Sequence, residues 1–161
     1  MTNWKTYTSS DLLKEVNISF KVKYPDNWFV NEENPNHTSN VPSVVISEEP
    51  VKNVMSRDST CFSIKEGIYS SSMTINEFIL YQGIAPPSMS LKEDVTINGM
   101  TGVKRKIIQH GETQESWQVF LRGGTNPTYD KDNINLFLLE SCPGTSDTVF
   151  NQILSTFKFI P

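Results

Sequence analysis

The sequence predicts an α+β domain, with amphipathic helices packed on a twisted antiparallel sheet of about six to seven strands. Three observations predict it. Ile18 to Tyr24 (ISFKVKY) places Ile18, Phe20, Val22 and Tyr24 on one parity and Ser19, Lys21 and Lys23 on the other, the period-2 pattern of a half-buried strand. Asn98-Gly99 sits between two β-patterned runs and is the dipeptide preferred by type I′ hairpin turns. Two stretches, from Thr74 and from Ser146, switch to helical spacing behind a capping residue.

Taken in order, Trp4, Thr6 and Thr8 alternate with Lys5 and Tyr7, which predicts a first strand lying against ISFKVKY, joined by a hairpin-like connection. Pro25 cannot donate to a ladder and Asp26-Asn27 favours a turn, so the second strand stops there and Trp28 begins the return. NEENPNHTSNVP has loop composition. The β-branched run Ser43 to Ser47 is a strand, Glu48 to Thr60 a second loop, and Cys61 to Tyr69 alternates again. Thr74 followed by Glu77 forms a capping box, with Ile75, Phe78 and Ile79 on one helical face before Gly83 and Pro86-Pro87 end the helix. After the Val95–Ile97 strand and the Asn98-Gly99 turn, VKRKIIQ is the partner strand. Glu115 to Arg122 and Ile134 to Cys142 are two more strands. The LFLL run within the last of these has no polar face, which places it mid-sheet with both sides covered. Ser146 then caps a helix whose Val149, Phe150, Ile153, Leu154 and Phe157 make one apolar stripe, and Lys158-Phe159-Ile160 closes the chain.

At 161 residues the chain fits one domain, 1–161, without obligatory metals or disulfides. A net charge of -4 argues against nucleic acid or an anionic membrane surface as partner, since either needs a basic face. The longest apolar run, Leu136 to Leu139, is far short of a membrane span. The N-terminus MTNWKTYTSSD lacks the charged and apolar regions of a signal peptide, so either the protein is cytoplasmic or an export segment, with a possible lipid tether, preceded the mature part.

Sites are sparse. Cys61 and Cys142 are the only cysteines, and two readings stay open. They either bridge, closing a long loop that the chain-entropy model values at about 4–5 kcal/mol, or sit as two buried thiols. Neither lies in a motif that activates a thiolate. His37, in a loop with Glu32, Glu33 and Asn36, is the candidate for a surface divalent cation, with His37 and Glu33 its leading ligands. No spaced ligand set accompanies it, and a solvated loop is the simpler reading. Asp130-Lys131-Asp132-Asn133 opens like a calcium loop but lacks the later Gly and Glu. No nucleophile elbow and no phosphate-binding glycine loop is present, so no cofactor and no catalytic residue is assigned. Lys104-Arg105-Lys106 is the densest basic patch, with Arg105 sent to the opposite face from the two lysines and the strand expected to be solvated. Three polar loops, Asn31 to Pro42, Ala85 to Asp94 and Gly123 to Asn133, offer His37, Met89 and Tyr129 as recognition residues.

The W-x-T-Y start, the FKVKYPDNW strand and turn, the Ile97-Asn98-Gly99 to Gly102 hairpin and the closing FNQILSTFKFI helix together resemble the Mog1/PsbP-like superfamily over nearly the whole chain. The resemblance is nearest to bacterial PsbP-related domains of lipoprotein type. It implies an α/β/α sandwich around a central antiparallel sheet, but no single function. The expectation is a non-enzymatic, monomeric accessory domain that binds a protein partner outside the cytoplasm, in the cell envelope or secreted. An intracellular, GTPase-binding adaptor is the alternative, and a small-molecule binder or enzyme the third.

Overall fold

The computed structural model describes residues 3–9, 19–33, 43–50, 60–70, 74, 77, 89–108, 115–125 and 133–160. β1 (Trp4–Thr8) turns Tyr7 inward and pairs antiparallel with β2 (Phe20–Pro25), from Trp4 opposite Pro25 to Thr8 opposite Lys21. Phe20 and Val22 are buried while Lys21 and Lys23 face solvent, as their alternation predicts. The turn forms where Pro25 ends the ladder, with the Trp28 amide donating to the Pro25 carbonyl.

These two strands do not enter the central sheet. Seven others do: β3 (Phe29–Glu33), β4 (Ser43–Ser47), β5 (Cys61–Ser70), β6 (Met89–Ile97), β7 (Met100–Ile108), β8 (Glu115–Thr125) and β9 (Asn133–Ser141), in the order β3-β4-β5-β9-β8-β7-β6 and antiparallel throughout. β9, which carries the LFLL run, is the middle strand, where a strand without a polar face is best accommodated. Phe137 and Leu139 are buried on one side of it, and Leu138 is half-buried on the other. β6 and β7 meet in the expected two-residue turn, with Asn98 at φ 49° and Gly99 at φ 84°. Gly102 is required for another reason: a side chain there would collide with the Phe120 carbonyl and Leu121 on β8.

Helix α1 (Asp147–Thr156) starts where the Ser146 hydroxyl accepts the Val149 amide, and it buries Phe150, Ile153 and Leu154. Phe150 packs on Phe62 and Trp117 of the large sheet at ring distances of 5.5 and 6.2 Å. Behind α1 the chain returns as β10 (Lys158–Phe159), which pairs with β2 to complete a three-stranded sheet, β1-β2-β10. Phe20, Phe157, Phe159 and Phe137 form an aromatic chain that joins the small sheet to the large one. The Asn98 amide donates to the Phe157 carbonyl and fastens the β6–β7 turn to the end of α1. The main core therefore lies between one face of the large sheet and the layer made by α1 and the small sheet. That face is called the inner face below, and the other the outer face.

Two expectations are corrected. The single sheet is two sheets, because the two-residue β10 brings the C-terminus back to β2 and claims it. The architecture of the described residues is sheet-dominated and not clearly an α/β/α sandwich; one helix is described along its length, and Glu77 of the earlier expected one is helical. Of the earlier expected helix only Thr74 and Glu77 are described, and they do form the reciprocal cap: the Thr74 amide donates to Glu77 Oε2 at 2.7 Å and the Glu77 amide to Thr74 Oγ1 at 3.2 Å. The recognition loops are also shorter than expected. Asn31–Glu33 belong to β3, Met89–Asp94 to β6, Gly123–Thr125 to β8 and Asn133 to β9, because backbone pairing extends past the apolar residues that mark a strand in sequence. The connection at 10–18 and the loop interiors at 34–42, 51–59, 85–88 and 126–132 lie outside the described residues. Among the described residues no helix is long and apolar enough to cross a membrane.

Candidate functional site

The site is built on three consecutive residues of β7. Strand alternation sends Lys104 and Lys106 to the inner face and Arg105 to the outer face, as their parity requires. The strand is not solvated, however: Lys104 is 9% and Arg105 1% exposed. β7 is the second strand from the sheet edge, with β6 beyond it, and the burial of Lys104 on one side and of Val103, Arg105 and Ile107 on the other shows both of its faces covered at this point.

On the inner face the two lysines flank Trp117, with Lys104 Nζ 4.2 Å and Lys106 Nζ 5.2 Å from the ring centre, within cation–π range. Each cation is matched. Lys104 Nζ donates to Asn151 Oδ1 at 2.9 Å and pairs with Glu93 at 3.1 Å. Lys106 Nζ pairs with Glu115 at 2.8 Å and with Asp147 at 3.2 Å, and the Trp117 indole donates to Asp147 Oδ1 at 2.8 Å. The indole bond, helped by Lys106, holds the Asp147 carboxyl below the usual carboxylate range, while Glu115 and then Asp147 raise Lys106 above the usual lysine value. Asp147 is also the first residue of α1, where the helix dipole favours an anion. This cluster is a clamp between β7, β8 and α1.

On the outer face, register sets a polar row across the sheet. Lys92 on β6 lies opposite Arg105, Arg105 opposite Gln118 on β8, Gln118 opposite Glu140 on β9, and Glu140 opposite Ser63 on β5. Arg105 Nε donates to Gln118 Oε1 at 2.9 Å, Gln118 Nε2 to Glu140 Oε1 at 2.7 Å, and Lys65 Nζ to Glu140 Oε2 at 3.4 Å. The guanidinium lies over the Phe120 ring, Cζ 5.0 Å from its centre. Burial pulls its pKa down and the charge of Glu140 opposes that, but a guanidinium stays protonated in proteins. Arg105 Nη2 has no hydrogen-bond partner among the described residues, and neither does Ser116 Oγ, each in a residue 1% exposed. Leaving such a group unmatched costs about 1–3 kcal/mol, and more for a charged one. A buried orphan of this kind calls for a reason, an unseen ion or ligand among them.

Beside the row, a concavity of about 430 Å³ opens over β6, β7 and β8, lined by Asp94, Thr96, Thr101, Val103 and Arg122 together with Thr74. Val103 is two residues from Arg105 on the same face of β7, a step of about 7 Å along a strand.

The residues singled out from sequence fall elsewhere. Cys61 and Cys142 form a disulfide, with Cα atoms 5.0 Å apart and a separation of 81 positions in the chain. It ties the start of β5 to the segment leading into α1, and Thr145 Oγ1 joins the same two segments by accepting the Cys61 amide at 3.2 Å. Glu32 accepts the Tyr7 hydroxyl at 2.7 Å, which joins β1 to β3. Glu33 ends β3. Met89 opens β6 opposite Ile107 and is not a loop residue. His37, Asn36 and Tyr129 lie outside the described residues. No cluster of three metal-ligating side chains occurs among the described residues. The row itself escaped sequence reasoning. Its trace was present in Gln118, set between Trp117 and Val119-Phe120, and in Glu140, set after Leu138-Leu139: polar residues interrupting apolar strands.

No protein-family model matches the chain, and no curated protein sequence does. Two crystal structures are similar in fold. One is LpqN of Mycobacterium tuberculosis, a protein involved in cell envelope biogenesis, with a TM-score of 0.60 at 10% identity over 99% of this chain and 92% of that one. The other is a Bacteroides thetaiotaomicron protein, with a TM-score of 0.51 at 15% identity over 98% of this chain and 48% of that one. At these identities the likeness is one of fold.

Proposed function

We propose that the chain is a non-enzymatic accessory or binding domain that works outside the cytoplasm, in the cell envelope or as a secreted protein. The observation that carries the reading is the Cys61–Cys142 disulfide, since such bonds persist in oxidising compartments and are rare in the cytosol. The similarity in fold to LpqN, whose role lies in the cell envelope, is in keeping with it. So is the Mog1/PsbP-like pattern of the sequence, which is nearest to domains of lipoprotein type. The outer-face row supports the binding reading: Arg105, Gln118 and Glu140 are hydrogen-bonding groups held in one line across the sheet, the kind of groups that grip a polar ligand.

The test is the redox state of the pair in the source cells. Free thiols are trapped by rapid alkylation and the intact mass is read. An unalkylated chain two hydrogens lighter is expected. Two alkylated cysteines would reject the extracytoplasmic placement and move the domain to an intracellular adaptor role.

A further inference from the structure

We propose that the outer face carries a recessed site for an oxyanion, a carboxylate or phosphate group of a small ligand, with Arg105 as its anchoring donor. This rests on the binding-domain reading above but not on the compartment, so free thiols in the cell would defeat the placement and leave this site standing.

Charge is the first argument. The described charged residues of this face on β5 to β9 are Lys65, Lys92, Arg105 and Arg122 against Asp94 and Glu140, a cationic excess in a chain whose net charge is -4. Glu140 reaches Arg105 only through Gln118 and is itself engaged by Lys65, so the guanidinium has no carboxylate in direct contact among the described residues.

Preorganisation is the second. The Nε bond to Gln118 and the Phe120 ring fix the plane of the guanidinium, and its Nη2 is left without a partner. A planar guanidinium held in place with its Nη2 donors unused can bond a carboxylate or phosphate oxygen, and little side-chain entropy remains to be lost on binding.

Access is the third. Nη2 is closed to solvent, but the 430 Å³ concavity begins at Val103, two residues along β7 and the next on the same face, and falls within the size range of small-ligand sites. Thr74, Thr96 and Thr101 at that concavity supply hydroxyls for a polar body.

The experiment titrates the full, disulfide-intact chain with inorganic phosphate and, separately, with acetate. Amide and arginine Nε resonances are followed by NMR at constant ionic strength held with chloride. Saturable shifts at Arg105, Gln118 and Val103 with a dissociation constant in the millimolar range or tighter are expected, and the tighter of the two anions identifies the headgroup. Arg105→Gln is expected to weaken binding about tenfold or more, Arg105→Lys to fall between it and the unaltered chain, and Lys5→Gln on β1 to leave binding unchanged. Shifts no larger than chloride produces, or Arg105→Gln binding as tightly as the unaltered chain, would overturn the proposal. If Arg105→Gln does not fold, the unaltered chain still decides: an Arg105 Nε resonance that does not move with phosphate or acetate rejects the site.

Discussion

Lys104 and Lys106 on one side of β7 and Arg105 on the other are neighbours in sequence and opposites in circumstance. The two lysines sit around Trp117 with Glu93, Glu115, Asp147 and Asn151 supplying oxygens, so the inner-face cluster is electrically closed. Arg105 is more deeply buried than either, yet among the described residues the anion it faces stands behind Gln118 and its Nη2 has no partner. A closed polar cluster between sheet and helix specifies how the elements dock. An open one within a covered face stabilises little by itself, and its persistence points toward something it binds. The difference shows that counting charges along a strand does not distinguish clamp from site; the partners brought by other strands do.

The largest effect that would sharpen this contrast is on the inner face. Trp117→Ala removes the ring that both lysines flank and that stacks on Phe150, and it is expected to cost about 3–5 kcal/mol in urea unfolding with the disulfide intact. A loss below 1 kcal/mol would mean that the cluster is not a clamp. Next comes Glu140→Gln, which keeps a hydrogen-bonding shape but removes the anion facing Arg105 and Lys65. About 2–3 kcal/mol should be lost, read in the same assay, and the loss should shrink in an Arg105→Met background where the cation is gone. Arg105→Met alone should lie within about 1 kcal/mol of the unaltered chain, because a flexible apolar side chain fills the volume and an unmatched charge disappears. If it instead costs as much as Trp117→Ala, Arg105 is structural and the contrast collapses.

The smallest effect concerns pH. Asp147 is held below its ordinary value of 3.8 in the folded chain, so its contribution is complete above that pH and disappears as the pH falls through the lower folded value. Lys106 is raised above 10.5, so its contribution is complete below that pH and disappears as the pH rises beyond it. The gap in stability between the unaltered chain and Asp147→Asn should therefore be small and constant near neutrality and close in acid below about 3.8. A gap that persists there would assign the role of Asp147 to the helix cap geometry and not to its charge.

Much of the fold was legible in the chain itself. The alternation of β2, the Asn98-Gly99 turn, the Ser146 cap with its Phe150, Ile153 and Leu154 stripe, and the central position of LFLL all follow from local chemistry: residue parity, positive φ, a hydroxyl three residues before an amide. Even the split of Lys104-Arg105-Lys106 to two faces was readable, because period 2 is a local property.

Partnership was not legible. The division into two sheets turns on a two-residue strand, Lys158–Phe159, finding β2 across more than a hundred residues, and nothing in Lys-Phe announces that. The burial of Arg105 depends on which strands flank β7 and on what register they hold, since a shift of one residue would have put Gln118 on the other face and left the guanidinium without the hydrogen bond to it. Local sequence thus determined which residues are strand, turn and cap and which way each points. Tertiary pairing decided who stands opposite whom, because pairing energy comes from long-range contacts that no window of sequence contains, and in this protein the clamp and the candidate site differ by that alone.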